Sequence, residues 1–167
     1  MNVNDLLTLY DYNYWARDRI LDSVANLSHH QIIAPATLSY GSLLGNLVHI
    51  LNAERIWRLR CQEGVSPTAF LLEGKITNLD TLQRTWRDEE ASMRAFLGGL
   101  QEEDLSKQIR YKRIKGQEQI NTLWHILLHI VNHGTQHRAE AAALLTEYHQ
   151  SPGDIDFIIY LRNLDGS

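Results

Sequence analysis

Residues 122–148 read Thr-Leu-Trp-His-Ile-Leu-Leu-His-Ile-Val-Asn-His-Gly-Thr-Gln-His-Arg-Ala-Glu-Ala-Ala-Ala-Leu-Leu-Thr-Glu-Tyr. Apolar residues recur every three or four positions, no proline intervenes and Gly134 is the one glycine, so the stretch predicts a long helix opened at Thr122. Half of the chain's eight histidines lie in it, at His125, His129, His133 and His137. Residues four apart sit one turn apart on one face, so two neighbouring imidazoles can meet a cation at the ~2.0–2.1 Å of a metal–nitrogen bond. Each such step also drifts ~40° around the axis, leaving His125 and His137 ~120° apart, so the four cannot share one metal.

A helical wheel chooses between the pairs. With His133 at zero, Ile126 and Leu144 fall near ~20°, Ile130 and Tyr148 near ~60°, and Leu123 and Ala141 near ~80°. The core stripe therefore centres at ~60°, with His137 at ~40° and His133 beside it, while His129 at ~−40° and His125 at ~−80° lie off it. His133 and His137 are the expected inward pair. Trp124, Leu128 and Val131 are expected to point away, towards a partner helix.

Outward from this segment the helical period recurs. Helices are predicted over about residues 4–26, capped by Asn2 or Asn4, over 41–61 after the caps of Ser39 to Ser42, and over 78–97 after Thr77 or Asn78. Ser28, His29, His30 and Pro35 read as a polar break, and Cys61 to Thr77 as a long crossover. Ile109, Tyr111 and Arg113 alternate ahead of Gly116, which suggests a small hairpin over about 106–119, and a short last helix is expected over 154–164. Four principal helices with one crossover make an all-α four-helix bundle the expected architecture, as one domain over residues 1–167.

A third ligand is expected from the second long helix, where His49 lies inside Leu47-Val48-His49-Ile50-Leu51. Ser42, Asn46 and Ala53 share its side and leave room for an ion. A lone histidine on an apolar face is more often a hydrogen-bonded core residue, but three buried together carry a desolvation cost that packing alone does not repay. Three neutral histidines leave an open coordination position, the pattern of catalytic metal sites. The metal stays open among zinc, nickel, cobalt, copper and iron, with zinc or nickel ahead. His129, Asn46 and Asn132 are candidates to support a ligand or substrate, and Arg138 to bind an anionic group; each also has a purely structural reading.

Composition narrows the classes. The 167 residues carry 16 Lys plus Arg against 20 Asp plus Glu, a formal charge of −4, which gives no field for nucleic acid. The basic run from Arg110 to Lys115 is flanked by Glu102, Glu103, Asp104 and Glu118 and reads as a solvated hairpin. No apolar run approaches the ~18–20 residues of a membrane span. A lone Cys61 and an acidic N-terminus point to the cytoplasm. Neither His129-Ile-Val-Asn-His133 nor His133-Gly-Thr-Gln-His137 carries the glutamate of a zinc peptidase, and phosphate loops and nucleophile elbows are absent. Cys61 reads as a packed thiol.

The chain resembles the DinB family, the damage-inducible proteins of the DinB/YfiT-like group of metalloenzymes. The resemblance rests on Tyr14-Trp15-Ala16, on Gly41-Ser42-Leu43 leading to His49-Ile50-Leu51 and Glu54 to Trp57, and on Asn132-His133-Gly134-Thr135-Gln136-His137-Arg138. It implies an up-down-down-up bundle, a divalent ion held by His49, His133 and His137, a homodimer, and a low-molecular-weight thiol as co-substrate of a transferase or isomerase. Two departures stand out: Ala139-Glu140 where members have Gly-Gln, and Tyr148-His149 where a glycine is common. The expected function is a cytoplasmic metalloenzyme acting on a small molecule, with thiol transfer ahead of hydrolysis. The alternatives are a metal-binding bundle without turnover, serving stability or sensing, and a bundle that only dimerises.

Overall fold

In the computed structural model, which describes residues 1–72 and 74–164, side-chain caps set the start of most helices. Helix α1 (Val3–Val24) opens on a reciprocal pair: Asp5 N–H donates to Asn2 Oδ1, and Asn2 N–H to Asp5 Oδ2, both at 2.8 Å. Helix α2 (His29–Ile33) opens the same way on Ser28 and Gln31. Ser42 caps α3 (Leu43–Arg58) through Gly45 N–H at 3.0 Å, and Asn78 caps α4 (Leu79–Gly98) through Thr81 N–H at 2.9 Å. A π-turn, Leu59–Glu63, prolongs α3 until Gly64 turns left-handed at φ 66°. A 3-10 turn (Glu102–Ser106) leads into antiparallel strands β1 (Gln108–Lys112) and β2 (Glu118–Thr122), which pair Gln108 with Thr122 and Lys112 with Glu118. Helices α5 (Leu123–Glu147) and α6 (Phe157–Leu164) follow.

The fold is mostly helical with one small sheet: α1 and α3 each pack against both α4 and α5. The interior divides into two apolar clusters. One includes Ile20, Leu47, Leu51, Leu82, Trp86 and Leu145. The other includes Leu6, Tyr10, Met93, Leu97, Leu127 and Ile130. Among the described residues no helix is long and apolar enough to cross a membrane.

Three expectations need correction. The polar break after α1 holds a short helix, α2, which His29 and His30 open because Ser28 and Gln31 supply a complete cap. Val131 is buried at 3% exposure, and Trp124 and Leu128 are half-buried, so that side of α5 is packed within the chain. The observed stripe is wider than expected: it takes in Leu127, Val131 and Leu145 as well as the buried Gly134 and Arg138, which moves its centre to roughly 100°. His133 and His137 thus stand at the edge of the core. The single domain expected over 1–167 includes Glu73 and residues 165–167, which lie outside the described residues.

Two local features carry predictions. Beyond α5, His149 takes a left-handed φ of 59°, and Gln150 N–H reaches back to the Leu145 carbonyl at 2.8 Å. A glycine usually fills such a position. His149→Gly is expected to stabilise the chain by about 1 kcal/mol, read by denaturant unfolding. Inside the core, Glu54 at 1% exposure accepts from Tyr14 Oη at 2.5 Å and from Trp86 Nε1 at 3.3 Å. Burial pushes its carboxyl up to about 7. The folded state therefore binds this proton more tightly than the unfolded chain, so the stability it contributes is present below ~4.5 and lost as pH rises through about 7. Glu54→Gln should flatten unfolding free energy against pH across that window.

Candidate metal centre

Helix α3 brings His49 to the junction with α5, which supplies His133 and His137 from successive turns. One possible ligand nitrogen from each of the three lies within 4.8 Å of the others, and Nε2 of His49 stands 3.0 Å from Nε2 of His133. Two metal–nitrogen bonds of ~2.0–2.1 Å at a tetrahedral angle place their nitrogens ~3.3 Å apart, so the spacing fits a shared ion. His49 is 8% exposed and the two α5 histidines are half-buried, leaving one side of the cluster open.

Burial, then the neighbouring imidazoles, push His49 down to about 3, and burial followed by His137 pushes His133 down to about 4. Both rings are neutral at pH 7, the form that binds metal. His137 Nδ1 faces Glu140 Oε2 at 3.3 Å. A carboxylate only accepts, so the proton sits on Nδ1 and Nε2 is left free as a ligand atom. Glu140 is itself held by Ser39, whose Oγ donates to Oε1 at 2.6 Å. Glu140→Ala is expected to weaken metal binding about 10–100-fold, with Glu140→Gln, which keeps an acceptor without the charge, in between; competition against a chromophoric chelator reads both.

The 36–42 loop closes one side. Tyr40 stacks on His49 with ring centroids 3.5 Å apart at 15°, and its edge meets His137 at 5.5 Å. Gly45 permits this approach, because a Cβ there would collide with the Tyr40 carbonyl oxygen. Phe70, from the α3–α4 connection, meets His49 edge-on at 5.8 Å. Between these walls opens a cavity of ≈300 Å³, lined among others by Tyr40, Val48, His49, Asn52, Phe70 and Ile76.

Asn46 Nδ2 donates to the His137 carbonyl at 2.8 Å, which ties α3 to α5, and its Oδ1 is buried without a donor among the described residues. His129 is exposed, its ring 5.8 Å from His133 and edge-on to Trp57 at 5.5 Å. Asn132 is exposed. Arg138 is 1% exposed and turns onto α1, donating to Asn13 Oδ1 at 2.5 Å and Thr135 Oγ1 at 3.0 Å. Gly134 makes that room, since a Cβ there would lie 2.7 Å from Arg138 Nη1. Cys61 is half-buried and its thiol is pushed up to about 12 by burial, which leaves it protonated. Tyr40 and Phe70 are not marked by the sequence, and Glu140 stands out there only as a departure from the Gly-Gln of the DinB family, not as a partner of His137. A signal for that partnership was present, since Glu140 is the acid three residues after His137.

Comparison with known proteins agrees in one direction. Residues 1–164 match the model of the DinB family. The chain is also 25% identical over 160 residues to Protein DinB of Bacillus subtilis (strain 168), covering 92% of this chain and 91% of that protein.

Proposed function

We propose, given that the chain belongs to the DinB family and draws three imidazoles together, that it is a divalent-metal enzyme transferring a low-molecular-weight thiol to a small electrophile. His49, His133 and His137 hold the ion, zinc or nickel first, and Glu140 fixes the His137 tautomer. When bound, such an ion lowers the pKa of a thiol or water at its open position. The observation that carries this reading is the 3.0 Å approach of two Nε2 atoms from different helices beside an accessible cavity. Tyr40 and Phe70 wall that cavity and limit water around a nucleophile. Thiol transfer stands ahead of hydrolysis on the resemblance drawn from the sequence.

The same reading takes α1, α3, α4 and α5 as a four-helix bundle of up-down-down-up order; each packs on two of the others, and the stretch after Gly64 has the length for the crossover. It places a homodimer in the cytoplasm, with exposed Phe157, Ile158 and Leu164 offering apolar surface. A second reading, metal binding without turnover, is favoured by the lack of any carboxylate among the described residues lining the cavity. Metal-loaded chain assayed with several small thiols and a chromogenic aryl halide separates the two. The proposal expects a rate that needs both metal and thiol and disappears in His49→Ala; a metal-loaded chain that gives no rate above that of thiol and halide alone leaves the second reading.

A further inference from the structure

A second cavity, ≈390 Å³, adjoins the first across Phe70, which lines both. Its other walls are Trp57, Arg60, Tyr111, Arg113, Ile114 and Lys115. Among the described residues three cations and no carboxylate line it. Arg60 is 7% exposed, yet no Asp or Glu pairs with it among the described residues. Its guanidinium carbon lies 4.5 Å from the Trp57 ring centroid and 4.9 Å from that of Tyr111, while Nη2 donates to the Lys112 carbonyl at 3.1 Å. Its Nε is buried with no acceptor. A buried cation is normally paired, so an unpaired one at a cavity wall marks where an anion belongs. Arg113 and Lys115, exposed on the hairpin turn, likewise have no acidic partner among the described residues, whereas Arg110 and Lys112 lie near Glu118.

We propose that this cleft is an anion-binding subsite of the metal centre, taking the carboxylate end of a small organic acid whose apolar part lies against Trp57 and Phe70. The proposal rests on the metal-enzyme reading for the site it extends, and it adds the class of substrate: the thiol or the electrophile bears a carboxylate. Arg60 supplies the desolvated charge, which makes a stronger hydrogen bond than an exposed one. Arg113 and Lys115 supply attraction at the mouth.

The test follows the indole N–H resonance of Trp57, assigned with Trp57→Phe, during titration of the full chain with succinate and with uncharged succinamide at constant ionic strength. Succinate is expected to shift it saturably and succinamide not, with affinity falling roughly tenfold or more in Arg60→Gln and in the Arg113→Ala, Lys115→Ala pair. The exposed pair keeps the test decisive should Arg60→Gln fail to fold. Equal shifts from succinamide, or unchanged affinity in the paired variant, overturn the proposal. Metal content is measured on the same samples: a metal-free chain that still binds succinate keeps the subsite and sinks the metal reading, and a metal-bearing chain that ignores succinate does the reverse. Mercaptosuccinate binding more tightly than succinate only when metal is loaded assigns the carboxylate to the thiol; equal affinity assigns it to the electrophile.

Discussion

His133→Ala is expected to abolish metal binding while leaving the fold intact. The residue contributes the Nε2 that approaches His49 at 3.0 Å, so its loss removes one of the three proposed ligands and leaves the other two on different helices. Removing a partner that merely orients a ligand costs about 10–100-fold in affinity, and removing the ligand itself costs more than that. The fold should persist because His133 sits half-buried at the edge of the core rather than within either apolar cluster. A ligand that binds only the folded state raises the melting temperature. In thermal melts, one added equivalent of zinc should therefore stabilise the native chain and leave the variant unmoved. An equal rise in both would mean the ion binds elsewhere.

Glu89→Ala is expected to destabilise the chain by about 3–5 kcal/mol, the usual cost of leaving one member of a buried ion pair alone. Glu89 on α4 is 3% exposed and Arg58 on α3 is 7% exposed. They meet through two parallel hydrogen bonds, Nε to Oε1 at 2.5 Å and Nη2 to Oε2 at 3.1 Å. The forked geometry is what makes burial of the two charges tolerable. Arg58 Nη1 also donates to Gln62 at 2.9 Å and Glu63 at 3.2 Å, both on the π-turn, so the variant keeps part of its compensation. That places the loss toward the lower end. Urea unfolding should show a lower midpoint at an unchanged slope, because the surface exposed on unfolding stays the same. A change under 1 kcal/mol, on the order seen for exposed pairs, would mean that water reaches the pair.

Much of this was legible in the sequence because period and cap signals are local. Asn2, Ser42 and Asn78 open their helices where expected, and the alternation of Ile109 and Tyr111 became β1. The three histidines brought together are those that spacing and apolar context selected. What escaped depends on contacts distant in the chain. Tyr40 lies on His49 because Gly45 lets the preceding loop fold back, and no periodicity encodes a loop's return. Phe70 sits in a stretch with no helical repeat at all. The stripe on α5 extends past the expected one because Leu127, Val131 and Leu145 pack within the chain, while the buried Arg138, which donates to Asn13, looks in a hydropathy pattern like a surface residue. The left-handed His149 hides a glycine-like turn under an ordinary side chain.

The central claim is that His49, His133 and His137 form a metal centre, and metal content of the chain purified without added metal tests it most directly. Elemental analysis should find about one transition-metal ion per chain, removed by chelation and restored by one equivalent of zinc or nickel with a rise in melting temperature. A chain that carries no transition metal and gains no stability from any offered would contradict it.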